Sequence, residues 1–539
     1  MARYDILICG GEVVDGTGSP RRRADVAIQG GRVAAIGLDL TGESARTLDA
    51  RGKIVAPGFI DVHTHSDAAL VLDGDAHSAI RQGVTTHIAG NCGVSLFPIG
   101  PDGPELNFLA NATVREYLQP AWTTAAGYLD HLEREGISIN VGVLTGHGAL
   151  RRAVGAQGRG CTAAQLARMR SLLAESLEGG ALGLSTGLTY APGCYAEPEE
   201  VAALARVAAQ YGGIYATHMR SYDAALISAM KEALDVARRS GVKLQISHLT
   251  PGPALYGSAP QLLKMLGKAR GQGLDVACDI NVQPTGSTSL RSLCPPWALE
   301  GGNARLLERL RDPALRDRMR QDILEKGSAT GGSMMQALMQ KGEWDKLWLG
   351  TCKVNQAYRG KSFAEIARLR GEDPFDMVFN ILLEEEASVN FFGVNKSEDD
   401  IEQMMHGPFV SLITDGMGWS QVGLLAKEID HPRNYGAYPW AIRRYVRERR
   451  SATLEEAIHH STGIPAARFG LTDRGEIREG TWADIVIFDE NEIADRGTIA
   501  DPAQDPVGIM AVLINGKIVL ENGRHTGARP GQVLRRRKA

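Results

Sequence analysis

Between residues 54 and 415, apolar β-branched runs alternate with amphipathic helical stretches, and this alternation restricts the chain more than any other feature of it. Such alternation builds a parallel sheet. Eight runs read as strands: 54–65, 85–90, 139–146, 181–187, 213–220, 243–249, 274–280 and 409–415. Helical patterns over 163–177, 198–211 and 224–239 lie between them, with Pro198 suited to a first helical turn. An open doubly wound sheet has the same alternation. A (β/α)8 barrel of the TIM type is preferred because polar residues collect at the C-terminal ends of several strands, where barrel enzymes carry their active sites.

The two ends of the chain read differently. Short β patterns separated by Gly-Gly turns fill residues 4–55, and a matching set occupies 482–520. Neither end is large enough to bury a core alone, so pairing into one small β-sandwich built from both termini is expected. The predicted organisation is therefore 1–57 and 466–539 for the two parts of the sandwich, and 58–465 for the barrel. About 130 residues separate the seventh strand from the eighth, too many for a plain connection, and contain helical patterns at 303–326 and 364–370. They predict a helical insertion at about 290–400, placed as a lid over the barrel mouth.

A net charge of −4 offers no electrostatic reason to expect nucleic acid or a membrane surface as partner. The basic run 535–538 reads as a solvated tail. Seven cysteines, an odd count with no CxxC, argue against a disulfide framework and for a reducing compartment. With no signal-peptide h-region and no run long enough to span a bilayer, a cytoplasmic enzyme acting on a small molecule is expected. The oligomeric state, a homo-oligomer included, is left open.

The chemistry lies at the strand ends. The run IVAPGFIDVHTHS (54–66) closes with His63 and His65, which on a strand point the same way, with Thr64 opposite. Two imidazoles converging in this way begin a divalent-metal site. Cys92 in GNCG, His218 in ATHMR, His248 in QISH and Asp415 in LITDG each close a later strand. Five residues of ligand type on four strands, with an aspartate on the eighth, exceed what chance supplies.

These segments, with GLSTGLTY (183–190), HPRNYG (431–436) and GEIREG (475–480) followed by Ala483-Asp484, resemble the N-acyl-D-amino-acid deacylases (D-aminoacylases) of the amidohydrolase superfamily over nearly the whole chain. The resemblance implies hydrolysis of a C–N amide bond by metal-activated water. It implies one tight Zn2+ on Cys92, His218 and His248, with His63 and His65 at a second, weaker position. Asp415 would serve as general base and then acid. Tyr190, Arg220, Ser287, Asn281 and His147 would contact substrate. Relatives that bridge two metals use a carboxylated lysine on strand four; this chain has none there, in keeping with Cys92 in that role.

Two departures matter. Thr250 stands where the family has a lysine, and Asn281 where it has a tyrosine. With a serine matching Ser287, those residues grip the free carboxylate of the substrate, so the replacements put that recognition in doubt. Arg220 and Arg291 are the cations available as substitutes. Rival readings are a cyclic-amide hydrolase of the hydantoinase or dihydropyrimidinase kind, which would normally carry the missing lysine, a deaminase, and a non-catalytic scaffold of the same fold.

Overall fold

The computed structural model describes residues 3–40, 42–101, 103–104, 112–327, 333–427 and 431–536. Eight parallel strands form the expected barrel. They are β1 (Phe59–Asp61), β2 (Val84–Ala89), β3 (Asn140–Gly146), β4 (Gly183–Gly187), β5 (Ile214–His218), β6 (Lys243–Ile246), β7 (Val276–Asn281) and β8 (Val410–Ile413). They pair in sequence order from β1 to β7, with β8 beside β7. Side chains close the seam between β8 and β1: the buried Asp61 carboxylate accepts hydrogen bonds from the Thr414 amide (3.3 Å) and hydroxyl (2.5 Å). At the mouth, the His65 amide donates to Gly416 O at 2.7 Å. The loops after the first and last strands are thereby clamped together.

Helices pack outside the barrel as their sequences dictate. Pro198 occupies the first turn of the helix Pro198–Gln210. Thr162 and Gln165 form a capping box at the start of Ala163–Glu178. Leu204, Ala205, Val207 and Ala208 are buried on the inward face of the first of these.

The run 54–65, read as one strand, divides at Gly58. Ile54–Pro57 pairs antiparallel with Ile485–Phe488 in a nine-stranded sheet made from both chain ends, whereas Phe59–Asp61 belongs to the barrel. A Cβ at Gly58 would lie 2.1 Å from the Thr85 side chain, so only glycine lets that side chain pack against the backbone here. The terminal sheet has its own buried cluster, in which Ile6, Ile8, Val26 and Val55 meet Ile485, Ile487 and Leu513. Asp484 ties sheet to barrel: its carboxylate pairs with Arg474 and accepts from Asn140 Nδ2 (3.1 Å) and the Asn515 amide (2.7 Å).

The basic tail is docked where it is described. Arg535 pairs with Asp130 (2.6 Å) and Glu133 (3.0 Å), and Arg536 donates to Tyr211 O (3.0 Å). These contacts correct the expectation of a solvated end; Arg537 and Lys538 lie outside the described residues.

The segment between β7 and β8 contains the expected helices, including Gly302–Arg311 and Pro313–Lys326, and also a small sheet that the sequence did not predict. In that sheet Thr285–Ser289 and Leu347–Leu349 flank Asn390–Val394, all antiparallel. Its residues share a separate core with the insertion helices, including Leu306, Met319, Phe363 and Phe391. Among the described residues no helix is long and apolar enough to cross a membrane, and all seven cysteines are free thiols.

Candidate metal centre

The C-terminal strand ends bring Cys92, His218, His248, His63, His65 and Asp415 together. Cys92 Sγ lies 3.6 Å from His218 Nδ1 and 3.6 Å from His248 Nε2, and those two nitrogens are 2.9 Å apart. One ion bound at roughly 2.0–2.3 Å from each donor spans such spacings. His63 Nε2 is 3.2 Å from Cys92 Sγ and 3.6 Å from Asp415 Oδ1. His65 Nε2 is 3.1 Å from the same Asp415 oxygen. Two overlapping donor sets result, one centred on Cys92 and the other on Asp415, with His63 common to both. Neither histidine of the HTH run lies on a strand; both project from the loop after β1.

Burial sets the protonation. It holds His218 down to about 3 and His65 down to about 4, so both imidazoles are neutral, with lone pairs available to a metal. Burial alone would lower His63 too, but the sulfur of Cys92 and the carboxylate of Asp279 outweigh it and raise His63 well above the ordinary histidine value. Asp279 anchors the neighbourhood: Oδ1 accepts from the His248 amide at 2.6 Å and Oδ2 from Gln245 Nε2 at 2.7 Å.

The backbone is strained at the same place. Cys92, His248 and Asp415 adopt φ of 51°, 36° and 51°, a left-handed conformation costing about 1–3 kcal/mol at non-glycine residues. Three such residues, each offering a donor to one of the two overlapping sets, mark a functional centre. At the end of β4, a Cβ at Gly187 would lie 2.1 Å from Cys92 O, so the loop carrying the thiol packs directly against the strand and leaves no room for a side chain at that position. A soft thiol with neutral imidazoles suits zinc.

Asp415 also faces cations and donors. Arg433 Nη1 donates to Oδ2 at 2.8 Å, and Asn281 Nδ2 approaches the same oxygen at 3.3 Å. Burial would raise the carboxyl, but Arg433 and His65 outweigh it and hold Asp415 well below the usual carboxylate range.

A cavity opens onto these groups. Its wall includes His65, Cys92, His218, His248 and Asp415, together with Tyr190, Asn281 and Ser287. Thr288 Oγ1 donates to the Tyr190 hydroxyl at 3.3 Å, and the Tyr190 ring lies 4.7 Å from that of His218. Two residues expected at the substrate are held elsewhere. His147 is fully buried against Glu200 (2.7 Å), whose carboxylate also takes Arg151 at 2.6 Å. Arg220 pairs with Glu232 at 2.9 Å and donates to Cys194 O and Ala196 O, in a separate surface cleft. Arg433 and Lys396 line the main cavity, although the sequence reading gave neither a role. Arg433 was visible within HPRNYG. Lys396 lies in no motif of the sequence.

Comparison with known proteins identifies the scaffold. Residues 46–520 match the model of a family described as the amidohydrolase family. The chain belongs to the amidohydrolase family. Among curated relatives, an N-acyl-D-glutamate deacylase of Alcaligenes xylosoxydans xylosoxydans is 35% identical, covering 99% of this chain and 97% of its own. A D-aminoacylase of the same organism is 32% identical over 99% of this chain and 98% of its own. Among solved structures, the N-acyl-D-glutamate deacylase of Bordetella bronchiseptica, complexed with zinc and a phosphonate mimic of the tetrahedral intermediate, is similar with a TM-score of 0.82. That likeness is at 33% identity and covers 99% of this chain and 100% of that one. This amidohydrolase is a metal-dependent hydrolase of carbon–nitrogen amide bonds.

Proposed function

We propose that this amidohydrolase removes the acyl group from N-acyl-D-amino acids, with Cys92, His218 and His248 holding a zinc ion. The carrying observation is the convergence of Cys92, His218 and His248 beside an ionised Asp415, in a chain similar end to end to deacylases of that class. When bound, the metal supplies Lewis-acid polarisation of the amide carbonyl and eases deprotonation of water.

The protein's own groups do the rest. Asp415 Oδ2 is committed to Arg433 and Asn281, which fixes the carboxylate plane and leaves Oδ1 to face the histidines. Oδ1 accepts a proton from the attacking water as the C–O bond forms. It returns that proton to the amide nitrogen as the C–N bond breaks, giving a carboxylic acid and a free amine. His63 and His65 form, with Oδ1, a second cation position. Arg433 is a resident positive charge beside it, which makes occupancy by a second divalent ion weak. Met334, Met335 and Met417 give the cavity an apolar stretch suited to an apolar amino-acid side chain.

The test is a paired screen of zinc-loaded enzyme with N-acetyl-D- and N-acetyl-L-amino acids, following acetate release. Turnover of D-substrates with kcat/KM of at least about 10^4 M−1 s−1, and far slower L-substrates, supports the reading. Hydrolysis confined to cyclic amides such as hydantoins would overturn it.

A further inference from the structure

The resembled family grips the free carboxylate of its substrate with a lysine and a tyrosine, and this chain has Thr250 and Asn281 in their places. Thr250 is fully buried and is not part of the cavity wall. Asn281 lines the cavity but directs its amide at Asp415. Neither cation offered by the sequence repairs the loss. Arg220 is bound to Glu232, and Arg291 donates to Asn303 Oδ1 at 2.5 Å in the insertion.

The small sheet of the insertion brings in another cation. Asn390–Val394 pairs antiparallel with Thr285–Ser289, just beyond β7. The chain then turns, and the amides of Asn395 and Lys396 both donate to Pro284 O at 3.1 Å. Pro284 lies midway between Asn281 and Ser287. Lys396 is thereby pinned at the exit of β7, with its side chain in the wall of the cavity that also holds Asn281, Ser287 and Asp415.

Its surroundings are unusual for an ammonium group. Lys396 is only 6% exposed. Among the described residues it makes one side-chain hydrogen bond, to Asn395 Oδ1 at 3.0 Å, and no carboxylate pairs with it within 4.0 Å. Arg433, the other cation in the wall, already has Asp415 as counter-ion. A buried cation without an anion is costly, and the cost is relieved when an anion arrives. Burial first, then the repulsion of Arg433, lowers the ammonium to about 7 against the weaker opposing pull of Asp415; a carboxylate beside it would restore the charge.

We infer that Lys396 binds the free carboxylate of the acyl-amino-acid substrate, supplying from the insertion the positive charge that position 250 lacks. The inference rests on the deacylase reading above for the identity of that carboxylate. It makes the insertion a part of substrate selection, since the recognising cation is carried by the turn after its central strand and not by a barrel strand.

The experiment compares N-acetyl-D-leucine with its carboxamide on zinc-loaded wild type, Lys396→Met and Lys396→Arg. The readout is the ratio of kcat/KM for the free acid to that for the carboxamide. In Lys396→Met that ratio falls about 100-fold, chiefly through KM of the acid, and Lys396→Arg recovers part of it. An unchanged ratio, or equal losses on both substrates, overturns the inference. If wild type hydrolyses neither compound, the deacylase reading fails separately. Lys396 is then judged by calorimetric binding of N-acetyl-D-leucine: binding at least about tenfold weaker in Lys396→Met supports an anion site, and equal binding overturns it.

Discussion

Arg433 Nη1 donates to Asp415 Oδ2 at 2.8 Å, and this contact does two things at once. It keeps Asp415 ionised as a proton acceptor, and it sets a fixed positive charge beside the second donor cluster of His63, His65 and Asp415. The lower affinity proposed for the second metal position follows from that charge.

Replacing Arg433 by Met therefore has a definite sign. The second divalent ion binds more tightly, by about tenfold or more, because the nearby like charge is gone. Zinc titration followed by calorimetry reads this directly. Unchanged second-site affinity would show that Arg433 does not control occupancy.

Asp415→Asn keeps the shape of the side chain and removes its basicity. The expected loss is about 10^2–10^4-fold in kcat, with the first equivalent of zinc retained. Metal analysis beside steady-state kinetics separates the two effects. Loss of the tight metal in this variant would assign Asp415 to the wrong cluster.

Gly187→Ala tests whether the backbone of β4 shapes the thiol site. The new Cβ meets Cys92 O at 2.1 Å, so the loop carrying Cys92 must move. Tight zinc affinity is expected to fall about 10- to 100-fold, as when the support of a metal ligand is disturbed. Competition with a chelator of known affinity measures it.

The buried group of Glu200, Arg151 and His147 is predicted to serve stability. Burial pushes Glu200 upward, but His147 and Arg151 outweigh it and hold the carboxyl down to about 2. Glu200→Gln leaves Arg151 buried without its counter-ion, at a cost of about 3–5 kcal/mol near neutral pH. A depressed carboxylate stabilises the fold above its unfolded value, about 4.5, and that contribution is lost as pH falls toward about 2. The Tm difference between wild type and variant should thus narrow across that window. A difference independent of pH would rule out the ionic account.

Much of the barrel was legible because its strands are buried on both faces and end in polar residues, as in the runs closing at Cys92, His218 and Asp415. The break at Gly58 was not legible, since Ile54–Pro57 and Phe59–Asp61 are equally apolar and only the approach of Thr85 separates them. The positions of His147 and Arg220 depended on Glu200 and Glu232, which lie on helices and carry no motif. Lys396 was hidden for the opposite reason. Its polar neighbours signal solvent, and only the pairing of Asn390–Val394 with Thr285–Ser289 turns that segment inward. The left-handed backbone at Cys92, His248 and Asp415 has no sequence signature beyond a following glycine at two of them.

The location of the tight metal is the claim on which the account turns, and anomalous diffraction at the zinc edge, from crystals grown with one equivalent of zinc, tests it most directly. The predicted result is a single strong peak bounded by Cys92 Sγ, His218 Nδ1 and His248 Nε2. A single peak between His63, His65 and Asp415, with the thiol of Cys92 turned away, would contradict it.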